Sequence, residues 1–312
     1  MNKIKNCEII GHGIHLPEQI VKFGDQTRYR LEAGVSQIDM LSQASKLALE
    51  NAETDPNEID CIIVASAAGA QPIPCTAALL QERIAPDAPA AAFDINSTCT
   101  SFITAFDMAS RLIDDEQYKR ILIASGDVGS RFLNPKQRES YELFSDAGVA
   151  MVLSQTEDKS KGVLSSLQRT WPRYAHNTEL RGGLSAYPPE NYHNNPEDYL
   201  FDMDGRATLR NMMAILPPFF AEFYEKSGLN IDDFEWIIPH QASIALSLAM
   251  RRLKVPEGKY ANYVKDYGNM VSSSVPFALA KKLGEHALQP GDKVMLCGTA
   301  AGLTSNILAI QL

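Results

Sequence analysis

The chain has 312 residues, 45% hydrophobic and 21% charged, enough to bury a large core as one two-part unit or as two domains. A formal net charge of −9 argues against general nucleic-acid binding, which needs a basic surface to displace phosphate counterions, but leaves room for an acidic partner on a local basic patch. Residues 1–7 carry no secretory apolar region and no apolar run is long enough to span a membrane. Five cysteines without CxxC spacing speak against disulfides and structural zinc, so a metal-free cytoplasmic protein is expected.

Along the chain, apolar strands alternate with amphipathic helices, the signature of α/β layering. Residues 37–51 predict a helix with Ile38, Leu41, Ala44, Ala48 and Leu49 inward. The run 61–65, Cys-Ile-Ile-Val-Ala, reads as a strand buried on both faces. A helix over 74–84 and a strand over 90–95 follow, the strand leading directly to Cys99. After Cys99 a helix places Phe102, Ile103, Phe106, Ala109 and Ile113 on one side, and 120–125 and 149–153 read as strands. Residues 203–227 are helical in pattern, though Pro217 and Pro218 are expected to kink or break them. A strand over 235–239, helices over 243–254 and 275–285, and strands over 293–297 and 305–310 complete the chain.

Two matches point to an internal duplication. Residues 93–112 and 236–253 are each strand, polar turn and long apolar helix, and 119–126 resembles 292–298. Such a duplication would put Cys99 and His240 at equivalent turns of two halves, facing one cleft.

Cys99, His240 and Asn269 stand out as candidate chemistry. Each closes an apolar run inside a short turn: Asp94-Ile95-Asn96-Ser97-Thr98-Cys99, Ile237-Ile238-Pro239-His240 and Tyr267-Gly268-Asn269. A thiol attacks, an imidazole moves a proton or donates a hydrogen bond, and a carboxamide adds a donor that does not titrate. Singly, each has a plain structural reading: a small core thiol, a satisfied core histidine, a left-handed turn asparagine. That reading fits Cys7, Cys61, Cys75 and Cys297. Cys99 differs because Asn96, Ser97 and Thr98 precede it and a helix follows, so its sulfur is expected at a helix N-terminus that favours thiolate. The stretch 298–304, Gly-Thr-Ala-Ala-Gly-Leu-Thr, lacks the pattern of a phosphate loop. As a tight loop between buried strands it can bring backbone N–H groups toward the thiol, half of an oxyanion hole.

These residues resemble the 3-oxoacyl-[acyl-carrier-protein] synthase III group of thiolase-like condensing enzymes over nearly the whole chain. The anchors are the Cys99 turn, Phe144-Ser145-Asp146-Ala147-Gly148, Pro239-His240-Gln241-Ala242-Ser243, Tyr267-Gly268-Asn269 through Pro276, and Gly302-Leu303-Thr304. The resemblance implies an α/β thiolase-like five-layered αβαβα fold from two similar halves, here 1–160 with Cys99 and 161–312 with His240 and Asn269, and a homodimer. It implies that Cys99 takes an acyl group from acyl-CoA or another thioester, with the N–H groups of Cys99 and Ala301 holding the oxyanion. His240 and Asn269 then hold the enolate of a malonyl-type extender on an acyl carrier protein as carbon dioxide leaves, and no cofactor is needed. It further implies substrate and coenzyme A contacts at Arg28, Arg138, Phe144, Met203 and Ser243. Arg251, Arg252 and Lys254, clustered at the end of the helix after His240, are the expected carrier-protein docking face.

Several positions depart from the family pattern. The adenine-stacking tryptophan has no counterpart, Ser243 stands for the usual asparagine, Ala245 stands for a basic residue, and the closing loop reads Thr299-Ala300-Ala301. These changes point to a specialised member. Three rival activities share parts of the pattern: an acyltransferase to an alcohol or amine, a cysteine hydrolase and a degradative thiolase. The hydrolase lacks its flanking cysteine motif here, and the thiolase is a longer chain with a different histidine context.

Overall fold

In the computed structural model, which describes residues 3–312, two large β-sheets form, each with helices on both faces, beside two two-stranded ribbons. The first half runs β1 (Glu8–His15), β2 (Gln19–Phe23), β3 (Gln26–Arg30), α1 (Gln37–Asn51), β4 (Cys61–Ala65), α2 (Thr76–Ile84), β5 (Ala91–Ile95), α3 (Ser101–Asp114), β6 (Arg120–Asp127), α4 (Arg138–Tyr141) and β7 (Ala147–Ser154). Its sheet has the order β1-β7-β6-β4-β5, with β4 parallel to both neighbours and β7 antiparallel to both of its own. The second half runs β8 (Gly162–Thr170), β9 (Thr178–Glu179), β10 (Asp202–Met203), α5 (Gly205–Ser227), β11 (Trp236–Pro239), α6 (Leu246–Arg252), α7 (Val264–Tyr267), α8 (Ser274–Gly284), β12 (Lys293–Ala300) and β13 (Thr304–Gln311). Its sheet has the order β11-β12-β13-β8.

Alternation along the strands builds the layers. In β4, Ile62 and Val64 pack with Leu41, Ala44 and Leu80 of α1 and α2, while Cys61 and Ile63 face a central cluster. That cluster joins Phe102 and Ile103 of α3, Ala278 and Leu279 of α8, and Leu296 and Leu308 of the second sheet. On the far side of the second sheet, Met295 and Ile307 meet Phe219 and Phe220 of α5 and Met250 of α6. The order is helices α1 and α2, sheet, helices α3 and α8, sheet, helices α5 and α6: five layers. No helix among the described residues is long and apolar enough to cross a membrane.

The strand order corrects one half of the expected duplication. β6 and β12 correspond, each eight residues long, as their sequences suggest. His240, however, follows β11, which pairs in parallel with β12 as β4 pairs with β6, so its counterpart is the end of β4 and not the Cys99 turn. The counterpart of the Cys99 turn is Val271–Ser273. Both are 3-10 turns whose first residue is left-handed, Thr98 at φ 53° and Val271 at φ 53°, and both lead into a central helix. Sequence matching missed this because Thr-Cys-Thr-Ser and Val-Ser-Ser-Ser share a conformation and little composition.

Two further differences concern helices. Pro217 and Pro218 lie inside a continuous α5 and do not break it. Ala214 and Pro218 are exposed, so a carbonyl freed on that face can turn to water, while Ile215, Leu216, Phe219 and Phe220 bury the opposite face. The helix expected from 243 starts at Leu246, because Ser243 forms a turn first: its Oγ accepts from the Ala245 N–H (3.1 Å) and its carbonyl from the Leu246 N–H (3.0 Å).

Candidate active site

Cys99 sits in the 3-10 turn Thr98–Thr100 between β5 and α3, and its side chain is half-buried. Asn96 shapes the approach, its Oδ1 accepting from the Thr98 N–H (2.9 Å) and its Nδ2 donating to the Ala67 carbonyl (2.9 Å). Ser101 Oγ closes the turn by donating to the Thr98 carbonyl (2.6 Å) and accepting from the Ser97 N–H (2.9 Å). The backbone N–H groups of Ala301 and of Cys99 itself lie near enough to the Cys99 sulfur to favour its thiolate. They do not make it a resting thiolate: burial first, then the nearby Asp127 carboxyl, push the thiol up to about 12. The expected helix-end activation is therefore outweighed by desolvation.

His240 ends β11 and is held by its own backbone N–H on the Cys297 carbonyl (2.8 Å). Burial lowers its pKa to about 4, and Nδ1 has no hydrogen-bond partner, so the ring is a neutral imidazole. Gly298 lets this ring approach the Cys99 turn: a Cβ there would lie 2.9 Å from His240 Cβ and 3.3 Å from Thr100 Cγ2. Asn269 follows Gly268, whose φ of 71° and closeness to Arg28 Cδ (2.5 Å from an added Cβ) require glycine. Asn269 Nδ2 donates to the Ala242 carbonyl (3.1 Å), which ties the carboxamide to the His240 loop, and Oδ1 accepts from the Val271 N–H (2.8 Å). The Asn269 backbone bridges Phe144 in a short parallel ladder.

The expected contact residues divide. Phe144 is buried beside Asn269 and packs edge-on against Phe201 (4.9 Å). Met203, in β10, lies half-buried next to Gln137, whose Oε1 accepts its N–H (3.3 Å). Ser243 joins His240, Leu209, Met212, Leu246 and Thr299 around a small cavity of about 50 Å³. Arg138 is exposed and paired with Glu142 (2.7 Å). Arg251, Arg252 and Lys254 are exposed and make no ion pair among the described residues. Arg28 is a correction. It has no exposed surface, and its guanidinium donates to the carbonyls of Glu142 (2.8 Å), Thr27 (2.6 Å), Val264 (3.2 Å) and Lys265 (3.1 Å) and to Gln26 Oε1. A guanidinium spent inside the fold cannot clasp an adenine.

Sequence reasoning also passed over Asp127 and the run Ser272-Ser273-Ser274. All four are buried, Asp127 at the end of β6 and the serines where the Val271–Ser273 turn enters α8, and three adjacent serines at a helix start were the available signal.

The arrangement offers a thiol under two backbone donors in the first half and a neutral imidazole and carboxamide in the second. Comparison with known proteins places it. The family model described as 3-oxoacyl-[acyl-carrier-protein (ACP)] synthase III matches residues 93–171, and that of its C-terminal part matches 224–312. A beta-ketoacyl-[acyl-carrier-protein] synthase III from Clostridium perfringens is 30% identical over 329 aligned positions, covering 99% of this chain and all of that one. The crystal structure of the 3-oxoacyl-[acyl-carrier-protein] synthase III from Aquifex aeolicus superposes with a TM-score of 0.87 at 25% identity, covering 98% of this chain and 100% of the other. The priming beta-ketosynthase of the R1128 polyketide biosynthetic pathway shares the fold, with a TM-score of 0.88 at 23% identity over 100% and 98% of the two chains. With family models matched over 93–171 and 224–312 and 30% identity across 99% of the chain, the protein belongs to the 3-oxoacyl-[acyl-carrier-protein] synthase III family of condensing enzymes.

Proposed function

We propose that the protein condenses an acyl group carried on Cys99 with a malonyl-type thioester, with loss of carbon dioxide, to give a 3-oxoacyl thioester in fatty-acid or specialised polyketide or lipid biosynthesis. The Cys99 thiol in its turn before α3, with the Ala301 and Cys99 backbone N–H groups close by and the His240 loop tied to the Asn269 carboxamide, carries this reading, because a thioester carbonyl bound at the sulfur would lie within reach of those N–H donors. In the first step the sulfur attacks the donor thioester, its C–S bond breaks, and the thiol proton ends on the departing sulfur, which leaves as a free thiol. In the second, the malonyl carboxylate leaves as carbon dioxide, and the enolate oxygen accepts from His240 Nε2 and Asn269 Nδ2. The carbanion attacks the Cys99 thioester, and the tetrahedral oxyanion beside the two N–H groups collapses to expel the Cys99 thiolate, which takes up a proton from water. A neutral His240 suits the donor role, since an imidazole that stays uncharged needs no counter-ion in a buried site. Acyl-CoA and carrier-bound thioesters are the substrates in this reading, with no further cofactor.

Three finer assignments go with it. Arg251, Arg252 and Lys254 dock an acidic carrier protein, supported by their exposure beside Ile244 (75% exposed) and Leu248 (46% exposed). The protein works as a homodimer, supported by β5, a half-exposed edge strand with one unpaired side that runs straight into the Cys99 turn. The site of action is the cytoplasm, in keeping with five free cysteines.

Intact mass after incubation with a panel of acyl-CoAs tests the reading. An adduct that Cys99→Ser abolishes and Cys297→Ser retains is expected, and its length names the primer. An adduct on a peptide lacking Cys99 overturns the assignment.

A further inference from the structure

Asp127, at the end of β6, is 2% exposed, and the chemistry above does not use it. Its two carboxyl oxygens point in two directions. Oδ1 accepts from the N–H groups of Ala67 and Ala68 (both 2.9 Å). Oδ2 accepts from Ser272 Oγ (2.5 Å) and from the Ser272 N–H (3.2 Å).

Each direction leads to one catalytic turn. On the Oδ1 side, the Ala67 carbonyl receives Asn96 Nδ2 (2.9 Å), and Ser101 Oγ lies against the neighbouring Ser66 carbonyl (3.1 Å). Asn96 and Ser101 are the two side chains that shape the turn around Cys99. On the Oδ2 side, Ser272 stands three residues after Asn269, in the turn whose left-handed Val271 hydrogen-bonds the Asn269 carboxamide. The next serines fix that turn further: Ser273 Oγ lies against the carbonyls of Ser125 (3.0 Å) and Ala147 (2.9 Å), and Ser274 Oγ accepts from the Met270 N–H (3.0 Å). Both turns hold a non-glycine residue at positive φ, a conformation that persists only where the surroundings over-determine it.

We propose that Asp127 is a positioning residue for the condensation step, its two carboxyl oxygens locking the Cys99 turn and the Asn269 turn at a fixed spacing. The spacing matters because the carbanion forms beside Asn269 and must reach the thioester carbon on Cys99. Displacement by about 1 Å can cost about 10²-fold in such a step. Loading of Cys99 needs only one of the turns. This inference rests on the function proposed above.

Asp127→Asn separates the two directions. Its carbonyl oxygen can still accept from Ala67 and Ala68, while its NH₂ meets the Ser272 N–H donor to donor. Acyl loading, read by intact mass, is expected at no less than about a third of the rate of the unaltered protein, since losing the carboxyl charge also relieves its push on the Cys99 thiol. Carbon dioxide release from a malonyl thioester by the loaded protein is expected to fall by about 10². Ser272→Ala, which leaves the carboxyl three backbone donors, should show the same split at about tenfold. The double variant should be at least as impaired as Asp127→Asn in carbon dioxide release and still load, because the two changes remove different contacts of one carboxyl oxygen, the Ser272 N–H bond and the Ser272 Oγ bond. Equal losses in the two half-reactions mean a merely structural role and overturn the proposal, as does unchanged carbon dioxide release by folded Asp127→Asn. If that variant does not fold, Ser272→Ala decides on the same two readouts. An unaltered protein that loads acyl groups but never releases carbon dioxide overturns the functional reading as well. An active one with indifferent variants overturns only the role of Asp127.

Discussion

Replacing Arg28 by alanine separates a ligand-binding arginine from an internal strut. The side chain is fully buried, and its donors meet four backbone carbonyls and the Gln26 amide oxygen, with no carboxylate among them. Hydrogen bonds from a charged donor contribute about 1.5–3 kcal/mol each. The sum is not lost, because removing the charge also relieves its desolvation and water can enter the space, so a net cost of about 3 kcal/mol is expected. For a chain of 312 residues, with an unfolding entropy of about 2.1 cal/mol/K per residue, that lowers the melting midpoint by roughly 5 °C. The segment it grips, through Val264 and Lys265, leads to Asn269, so kcat for condensation should drop modestly while KM for acyl-CoA holds. Calorimetry at fixed protein concentration and steady-state kinetics read both effects. Arg28→Lys, with one ammonium for five acceptors, should recover only part of the midpoint. Arg138→Ala, whose side chain is 86% exposed, should leave the midpoint unchanged. A variant Arg28→Ala that melts like the unaltered protein but binds acyl-CoA more weakly would refute the strut.

Other outcomes follow from the same geometry. With the Cys99 thiol pushed up to about 12 and His240 down to about 4, alkylation of Cys99 by iodoacetamide should rise about tenfold per pH unit from pH 6 to 9. A plateau across that range would show a thiolate–imidazolium pair of the cysteine-hydrolase kind. His240→Ala and Asn269→Ala should each lower malonyl decarboxylation by about 10²–10³ while sparing Cys99 loading. Normal condensation by Asn269→Ala would favour transfer to an alcohol or amine. Reversing Arg251 and Arg252 to Glu should weaken use of carrier-bound extender at low salt and leave loading from acyl-CoA alone. Unchanged carrier-dependent turnover would move the docking face elsewhere.

The sequence alone determined the periodic elements and the candidate chemistry. Cys61–Ala65 reads as a doubly buried strand because five apolar residues in a row fit only a strand covered on both sides, and β4 is that strand. Cys99, His240 and Asn269 were legible because each polar group interrupts an apolar run at a turn, a local signal. Where a donor's partners lie far along the chain, local pattern was silent. Arg28 looks like a surface cation in Thr-Arg-Tyr-Arg, and only the approach of residues 142, 264 and 265 makes it a buried strut. Ser272 reads as one serine among three, and only the pairing of the two halves sets it opposite Asp127, 145 positions away. The charge state of the site was likewise a tertiary decision. A helix end favours thiolate locally, but the packing of two sheets and two central helices around Cys99 removes water, and the desolvation of a buried charge outweighs the pull of backbone N–H groups.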